Sequence, residues 1–337
     1  MRSVLQGDSA SSGWFLIVLV IANASCQDAK RGSRPDRYAG GGRFVGARPQ
    51  MSPDSNWIVF SSPVTGNGDL YLLELQSGKL ARLTASEQYE GDASWSADSK
   101  RLVFVREDQN RLGRICILDL DSSEVSQITT GNHYDAGPVF VDNDERIVFH
   151  RTIHPRLVRS TELFIVDVDG RNVVKLTDDD LPDMEIAYCS DTGHVFYSKN
   201  WDSIWRTNLD GSGSKFVTLG HSPAITTDGR YLAFLSDRYD RYKSSLFISE
   251  SASLKEEEVA PSRPFKSYAS FPPIPDTVMY LEEPTARGTG RIILLNWRNG
   301  SRRTVLDTEH PMKAIHEGPS EEWLRRKKVS EAEKGAE

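Results

Sequence analysis

The sequence predicts an all-β protein, a six-bladed β-propeller made of four-stranded antiparallel blades. The first observation behind this prediction is a short apolar run ending in an aromatic residue, which recurs six times along the chain. The six runs are Ile58-Val59-Phe60, Leu102-Val103-Phe104, Ile147-Val148-Phe149, His194-Val195-Phe196, Leu232-Ala233-Phe234 and Val278-Met279-Tyr280. Successive aromatic residues lie 44, 45, 47, 38 and 46 residues apart, a period typical of propeller blades rather than of helical solenoids or leucine-rich repeats.

The second observation is that each run falls within a unit of four short strands. The first strand ends before a turn of Asp, Asn, Ser or Gly, such as Ser52 to Ser55, because these residues close tight hairpins. The aromatic run is the second strand. The third is a near-continuous apolar run such as Leu163 to Val166, as expected of a strand packed on both faces. The fourth often ends in an apolar residue and a threonine, as in Leu83-Thr84, Ile128-Thr129 and Leu176-Thr177.

The sequence predicts four segments in this chain of 337 residues. Residues 1–26 are an export signal, 27–46 a flexible tether, 47–308 the propeller, and 309–337 a charged C-terminal tail that can form a short helix. The apolar stretch in the signal runs only from Trp14 to Ala22, about half the length of a membrane-spanning helix.

Two forms of processing fit the end of the export signal. Ala22 and Ala24 suit ordinary cleavage after Ala24. Alternatively, Ala24-Ser25-Cys26 resembles the end of a bacterial lipobox, in which Cys26 would be lipidated and would become the new N-terminus. Both alternatives predict an exported protein, periplasmic or in the outer envelope, and the second adds a lipid anchor.

The net charge of the chain restricts the classes of partner further. The chain has 48 acidic and 41 basic side chains and a net charge of −7, which disfavours nucleic acid and anionic membrane surfaces as partners. A membrane contact is expected only through the N-terminal lipid.

Cys116 and Cys189 belong to different strand types of different units, so we expect two unbonded, buried thiols.

Three stretches resemble the propeller repeats of TolB: Ser52 to Phe60, Asp69 to Thr84, and Phe234 to Arg238. Similar repeats occur in the propeller domains of prolyl-oligopeptidase-type enzymes. The resemblance covers roughly residues 47–308. The TolB amino-terminal α/β domain is expected to be missing, because residues 27–46 are too few to form it. A hydrolase domain is not expected either, since no Gly-x-Ser-x-Gly pentapeptide occurs.

The loops that enter the first strands are predicted to converge on one rim of the central channel. They are rich in His, Tyr and carboxylates, and a concavity built from such loops is the default position for a ligand site. The candidate ligand-binding residues are Tyr89, Glu90, His133, Tyr134, Asp135, Glu185, His221 and Tyr268. The sequence thus predicts a non-enzymatic binding scaffold for an envelope protein or a saccharide, with no catalytic residue, metal or cofactor assigned.

Other interpretations of the same loops stay open. Tyr and His at these positions can simply pack the loop entrances. In a metal-dependent enzyme acting on uronate oligomers, His133 and His221 with Asp135 or Glu185 would instead hold a divalent ion, although no compact metal motif is present. Residues 150–160 are interpreted as a basic loop at the hairpin level opposite the rim, where a partner could bind.

Overall fold

In the part of the chain that the structure describes, twenty-four strands form six separate four-stranded sheets, each made of four consecutive strands in antiparallel order. The computed structural model describes residues 47–307 except 63–67, 153–160, 180, 239–243, 254, 262–264 and 284–289. All of these residues belong to one compact unit of the chain, residues 35–315. The predicted fold class, a six-bladed β-propeller without helices, is confirmed for this part of the chain.

The strands are grouped below by their position in the blade. The first strands are β1 (Ala47–Met51), β5 (Glu90–Trp95), β9 (Tyr134–Val141), β13 (Asp183–Cys189), β17 (His221–Ile225) and β21 (Phe265–Ser270). The second strands are β2 (Trp57–Ser62), β6 (Arg101–Glu107), β10 (Arg146–Thr152), β14 (His194–Lys199), β18 (Tyr231–Ser236) and β22 (Thr277–Glu283). The third strands are β3 (Asp69–Glu74), β7 (Gly113–Asp119), β11 (Thr161–Asp167), β15 (Ser203–Asn208), β19 (Ser245–Glu250) and β23 (Arg291–Asn296). The fourth strands are β4 (Leu80–Arg82), β8 (Val125–Gln127), β12 (Val174–Lys175), β16 (Lys215–Leu219), β20 (Lys255–Ala260) and β24 (Arg302–Asp307).

The core lies between neighbouring blades. Every residue of β2 and of β3 is buried, because both faces of these strands are covered by adjacent sheets. Within a blade, the aromatic residue that ends the repeated run pairs with an aromatic on the third strand in three cases. The stacked pairs are Phe60 with Tyr71, Phe149 with Phe164 and Phe234 with Phe247. The periodic runs are therefore the central strands of the blades, as predicted.

The repeated threonines at the ends of the fourth strands have a specific role. The hydroxyls of Thr84, Thr129 and Thr177 each accept a hydrogen bond of 3.0 Å from a backbone amide at the start of the third strand. These amides are buried and need an acceptor. The Leu-Thr and Ile-Thr pairs of the sequence are thus explained by a buried hydrogen bond between the third strand and the chain that leaves the fourth.

The ring closes by side-chain packing between the first and last blades. One apolar cluster joins Met51 and Phe60 of the first blade to Met279 and Ile292 of the last. A hydrogen bond of 3.3 Å from the Ser270 hydroxyl to the carbonyl of Pro49 adds a polar contact. The four strands of the last blade are consecutive, so no strand is exchanged among the described residues. The segment 43–45, a candidate for such an exchange, lies outside them.

Both predicted free thiols are confirmed, because Cys116 and Cys189 are unbonded and buried. The export signal with Cys26, the tether and the C-terminal tail lie outside the described residues. Of the residues the structure describes, none belongs to a helix long and apolar enough to cross a membrane.

Candidate functional site

The six first strands line the central channel, and each contains one β-bulge. In every blade the register with the second strand shifts at the same place. The bulge contains one residue in the left-handed conformation, with φ between 51° and 60°. We call these six residues the bulge ring: Arg48, Asp92, Gly137, Glu185, Ser222 and Tyr268. A left-handed conformation costs a non-glycine residue on the order of 1 kcal/mol, yet five of the six carry a side chain. Bulges re-aim side chains, so this position is built to place polar groups.

The side chains of the bulge ring meet in the channel. Arg48 Nε lies 3.5 Å from Asp92 Oδ1, and the Arg48 guanidinium lies 5.9 Å from the centre of the Tyr268 ring. A Cβ built on Gly137 would stand 3.0 Å from Arg48 Nη1. Blades one and three are not neighbours, so Arg48 and Gly137 approach each other only because both face the channel centre.

On the other side of the channel, Glu185 is held by a hydrogen-bond network. Its carboxylate accepts bonds from the Ser222 amide (2.7 Å), the Ser222 hydroxyl (2.8 Å) and the Ser198 hydroxyl (2.7 Å). His221 Nδ1 lies 4.0 Å from the same carboxylate. Burial opposes ionisation, but His221 and the hydrogen bonds outweigh it and hold the pKa of Glu185 below its usual value. Glu185 is therefore a fixed negative charge.

His150 is a buried member of the channel that the sequence interpretation missed. It lies on β10 and is only 3% exposed. Neither of its ring nitrogens has a hydrogen-bond partner among the residues that the structure describes. Burial, reinforced by the nearby Arg48 charge, lowers the pKa of His150 to about 4, so the ring is neutral near pH 7. Gly137 makes room for it, because a Cβ there would stand 2.8 Å from His150 Nδ1.

The interpretation of residues 150–160 needs two corrections. His150 to Thr152 are the end of a strand, and the buried His150 is no part of a solvated loop. Thr152 pairs with Tyr134, the residue that starts β9. The chain therefore leaves β10 at the end of the ring where the first strands begin, which we call the rim. The described strand thus ends at the rim rather than at the opposite level, and residues 153–160 lie outside the described residues.

Two of the candidate carboxylates are committed to ion pairs within their own blades. Glu90 is fully buried and pairs with Arg106 at 2.6 Å. Asp135 is fully buried and accepts two bonds from Arg151, at 2.6 and 2.9 Å. Each pair joins opposite residues of a first and a second strand. Each carboxylate is therefore buried and engaged by an arginine of its own hairpin.

Three candidate aromatic side chains lie at the loop entrances. The Tyr89 ring covers Gly68 and Gly91, where an added Cβ would clash with it. The Tyr134 ring lies against Gly113 in the same way, and its hydroxyl donates a 3.2 Å bond to Glu107. His133 is partly buried, and its carbonyl accepts a bond from Arg114. Of the eight predicted residues, Glu185, His221 and Tyr268 are thus the ones that the structure brings to the channel.

Beside the channel, the rim of the fourth blade carries an exposed apolar patch. Leu181, Trp201 and Leu219 are 42%, 40% and 58% exposed, and we call them the rim patch. Their loops are tied together by two backbone hydrogen bonds of 2.8 Å, from Asn200 to Pro182 and from Gly220 to Asp202. Exposed aromatic and aliphatic side chains grouped at one site are typical of protein contacts.

The site therefore combines a polar channel with an apolar patch on one rim. Within the described residues, no group of three or more His, Cys, Asp or Glu side chains is arranged to hold a metal ion. The residues named for the alternative of a metal-dependent enzyme have other contacts here: Asp135 is paired with Arg151, and Glu185 accepts hydrogen bonds from Ser198 and Ser222, with His221 Nδ1 4.0 Å away.

Fold and site define the class of the protein, a six-bladed β-propeller with a polar central channel. Residues 41–180, which include the first three blades, match the TolB beta propeller domain. In fold, the protein is a TolB-like β-propeller. A comparison with the sequences of curated proteins finds no match.

Solved structures agree with this assignment of the fold. TolB from Acinetobacter baumannii is 16% identical with a TM-score of 0.55, and the match covers 63% of this chain and 53% of that one. The chain thus spans about half the length of that protein. Putative TolB from Agrobacterium tumefaciens is 16% identical with a TM-score of 0.60, covering 70% and 87%. An oligogalacturonate lyase in complex with manganese is 15% identical with a TM-score of 0.59, covering 79% and 78%. At such identities the likeness is one of fold, and fold alone does not assign function.

Proposed function

We propose that the protein is a non-enzymatic binding scaffold of the cell envelope that holds its partner at the rim of the propeller channel. The observation that carries this proposal is the bulge ring. Five polar side chains are kept in an unfavourable backbone conformation at equivalent positions of separate blades, and their contacts converge on one channel. Strain of this kind clusters at functional sites.

The rim patch supports a macromolecular partner. It lies on the rim of the fourth blade, which also supplies Glu185 to the channel. A partner on this rim would bury apolar side chains while its polar groups face the channel. Interfaces commonly combine an apolar core with a polar surround.

The experiment is capture of partners from an envelope extract of the source organism, followed by affinity measurement with the purified partner. The test variant is Trp201→Asn, because asparagine tolerates the left-handed backbone that Trp201 adopts. The matched control is Phe216→Asn, since Phe216 is an aromatic residue on β16 with a similar exposed fraction, 45% against 40%. We expect at least tenfold weaker binding for Trp201→Asn and unchanged binding for Phe216→Asn. If Trp201→Asn and Phe216→Asn bind the partner equally well, the rim patch is not the surface that holds the partner.

The envelope location rests on the predicted export signal. Mass spectrometry of the mature protein tests it: a lipidated N-terminal Cys26 or a start at Ser25 is expected, and an intact Met1 in the mature protein would contradict export.

A second candidate, a metal-dependent enzyme acting on uronate oligomers, is suggested by the lyase of similar fold. Metal analysis of the purified protein and thermal unfolding with added manganese separate the two. The scaffold proposal expects less than one bound ion per chain and no rise in the unfolding temperature. Stoichiometric metal with clear stabilisation would favour the enzyme, because ligands that bind the folded state stabilise it.

A further inference from the structure

Exposed aspartates of two loops border the rim patch. Asp179 lies two residues before Leu181, and Asp202 directly follows Trp201. Both aspartates are exposed, and the side chain of the neighbouring Asp178 is 87% exposed. We call Asp178, Asp179 and Asp202 the acidic border. A partner that covers the rim patch therefore meets these carboxylates as well.

The lysines of the same region lie deeper than the acidic border. The Lys199 side chain is only 8% exposed, contacts the Asp179 carboxylate, and lies 3.6 Å from Oδ1 of the fully buried Asp183. Lys175 is 31% exposed and pairs with Asp178. Because the carboxylates lie above these two ammonium groups, this side of the rim presents negative charge to an approaching partner.

On the other side of the rim patch, the arginine beside Leu219 is neutralised by a glutamate. Arg238 Nη2 donates a 3.0 Å hydrogen bond to the Leu219 carbonyl. Its Nη1 lies 2.6 Å from the carboxylate of Glu256. This pair has no net charge and does not cancel the field of the acidic border. The surroundings of the rim patch are therefore negative.

The acidic border can accept donors from a partner. The pair of Asp178 with Lys175 is exposed, and exposed pairs contribute about 1 kcal/mol or less. A cation of the partner can therefore replace Lys175 at little cost. Stable interfaces commonly surround an apolar centre with polar groups, and complementary charges select the partner and speed its association.

We propose that the rim patch binds a segment of a partner protein in which lysine or arginine residues flank apolar side chains. The apolar side chains would pack on the rim patch, and the flanking cations would face the acidic border. This inference rests on the proposed function, and it adds the chemistry of the partner.

The probes are three dye-labelled peptides of equal length that share two leucines and a tryptophan and differ only in their flanking residues, which are lysine, glutamate or serine. Binding to the intact protein is measured by fluorescence anisotropy at about 50 mM and about 300 mM salt, because salt screens exposed charges. At the lower salt concentration, we expect the lysine peptide to bind at least tenfold more tightly than the glutamate peptide and at least threefold more tightly than the serine peptide. Both ratios should shrink at the higher salt concentration.

The test variant combines Asp178→Asn with Asp202→Asn, and the matched control combines Asp191→Asn with Asp210→Asn. Asp191 and Asp210 are exposed aspartates in turns at the opposite end of the fourth blade. Both double variants change the net charge equally, and asparagine keeps the size of each side chain. We expect the lysine peptide to bind at least fivefold more weakly to the test variant and equally well to the control.

The proposal is overturned if the lysine peptide binds no more tightly than the glutamate peptide, or if the two double variants bind the lysine peptide equally well. It is also overturned if Trp201→Asn leaves binding of the lysine peptide unchanged, because the peptide would then not lie on the rim patch. These results are separate from those for the proposed function. Partner capture that depends on Trp201 but not on Asp178 and Asp202 would keep the rim as the binding surface and contradict only the basic character of the partner.

Discussion

Replacing His150 by phenylalanine tests the description of the channel through the pH dependence of stability. The change keeps a planar ring in place and removes two nitrogens that have no hydrogen-bond partner in the described part of the chain. Unpaired buried polar groups each cost about 1–3 kcal/mol. The larger phenylalanine ring offsets part of the gain because Gly137 is close. Near pH 7.5 we expect the variant to be more stable than the wild type by about 1 kcal/mol.

The difference should grow in acid. The pKa of His150 is about 4 in the folded protein against 6.5 for an unperturbed histidine, so the unfolded chain binds the proton more tightly. The contribution of the neutral ring to stability is therefore complete above the unfolded pKa and is lost as the pH falls towards the folded one. Linkage gives a loss of about 1.4 kcal/mol near pH 5.5 and about 2.5 kcal/mol near pH 4.5 for this group alone.

The assay is urea unfolding of both proteins at about four pH values between 7.5 and 4.5, with the difference in unfolding free energy plotted against pH. Subtracting the two curves removes the contributions of all other titrating groups that the substitution leaves unchanged. Two parallel curves would refute the argument, because they would mean that His150 takes up its proton equally well in the folded protein.

Three further predictions concern the surrounding structure. Burial raises the pKa of Asp183 to about 7, so stability is lost as the pH rises through this value. The free energy of unfolding of Asp183→Asn, measured with urea, should therefore rise relative to that of the wild type by about 1 kcal/mol for each pH unit between about pH 4 and 7. Arg151→Ala leaves the buried Asp135 carboxylate unpaired and should destabilise by about 3–5 kcal/mol. Arg230→Ala, the control, breaks the exposed pair of Arg230 with Glu250 and should lower the free energy of unfolding by about 1 kcal/mol or less. Equal losses of stability in the two variants would contradict the structural role of the buried pair. Burial raises the pKa of Cys116 to about 11, and the Cys189 thiol is buried as well, so neither should react with a thiol reagent until the protein is unfolded; rapid labelling of the native protein at Cys116 or Cys189, located by peptide mapping, would contradict their burial.

The fold was predictable because every blade repeats the same order of bulky apolar and polar side chains. Phe104 and Phe149 recur at blade spacing and are fully buried on second strands. Thr84 and its equivalents were visible as a pattern, but the hydrogen bond that explains them was not, because it joins residues 14 apart across two strands.

The site was predictable only in part. Glu185, His221 and Tyr268 lie in the loops or strand starts that the repeat places at the channel. Glu90 and Asp135 have the same position in sequence but are neutralised by arginines 16 residues later, a hairpin partnership that aligning the repeats would have suggested.

The residues that the sequence interpretation missed depend on backbone conformation and on close approach. Arg48 reaches the channel because a bulge turns it inward, and nothing in its neighbours' composition marks the bulge. A signal was nonetheless present: the bulge ring follows nearly the same spacing as the aromatic runs. His150 follows an apolar run and looks like the start of a polar loop, and only the glycine at 137 on the adjacent strand explains why it is buried.

The central claim is that a partner binds at the rim of the channel, and hydrogen–deuterium exchange of the propeller with and without its captured partner tests it most directly. The account predicts slower exchange at the starts of β13 and β17 and in residues 199–203, which lie at the rim. Protection confined to the turns at the opposite end, residues 142–145 and 227–230, with the rim unchanged, would contradict it.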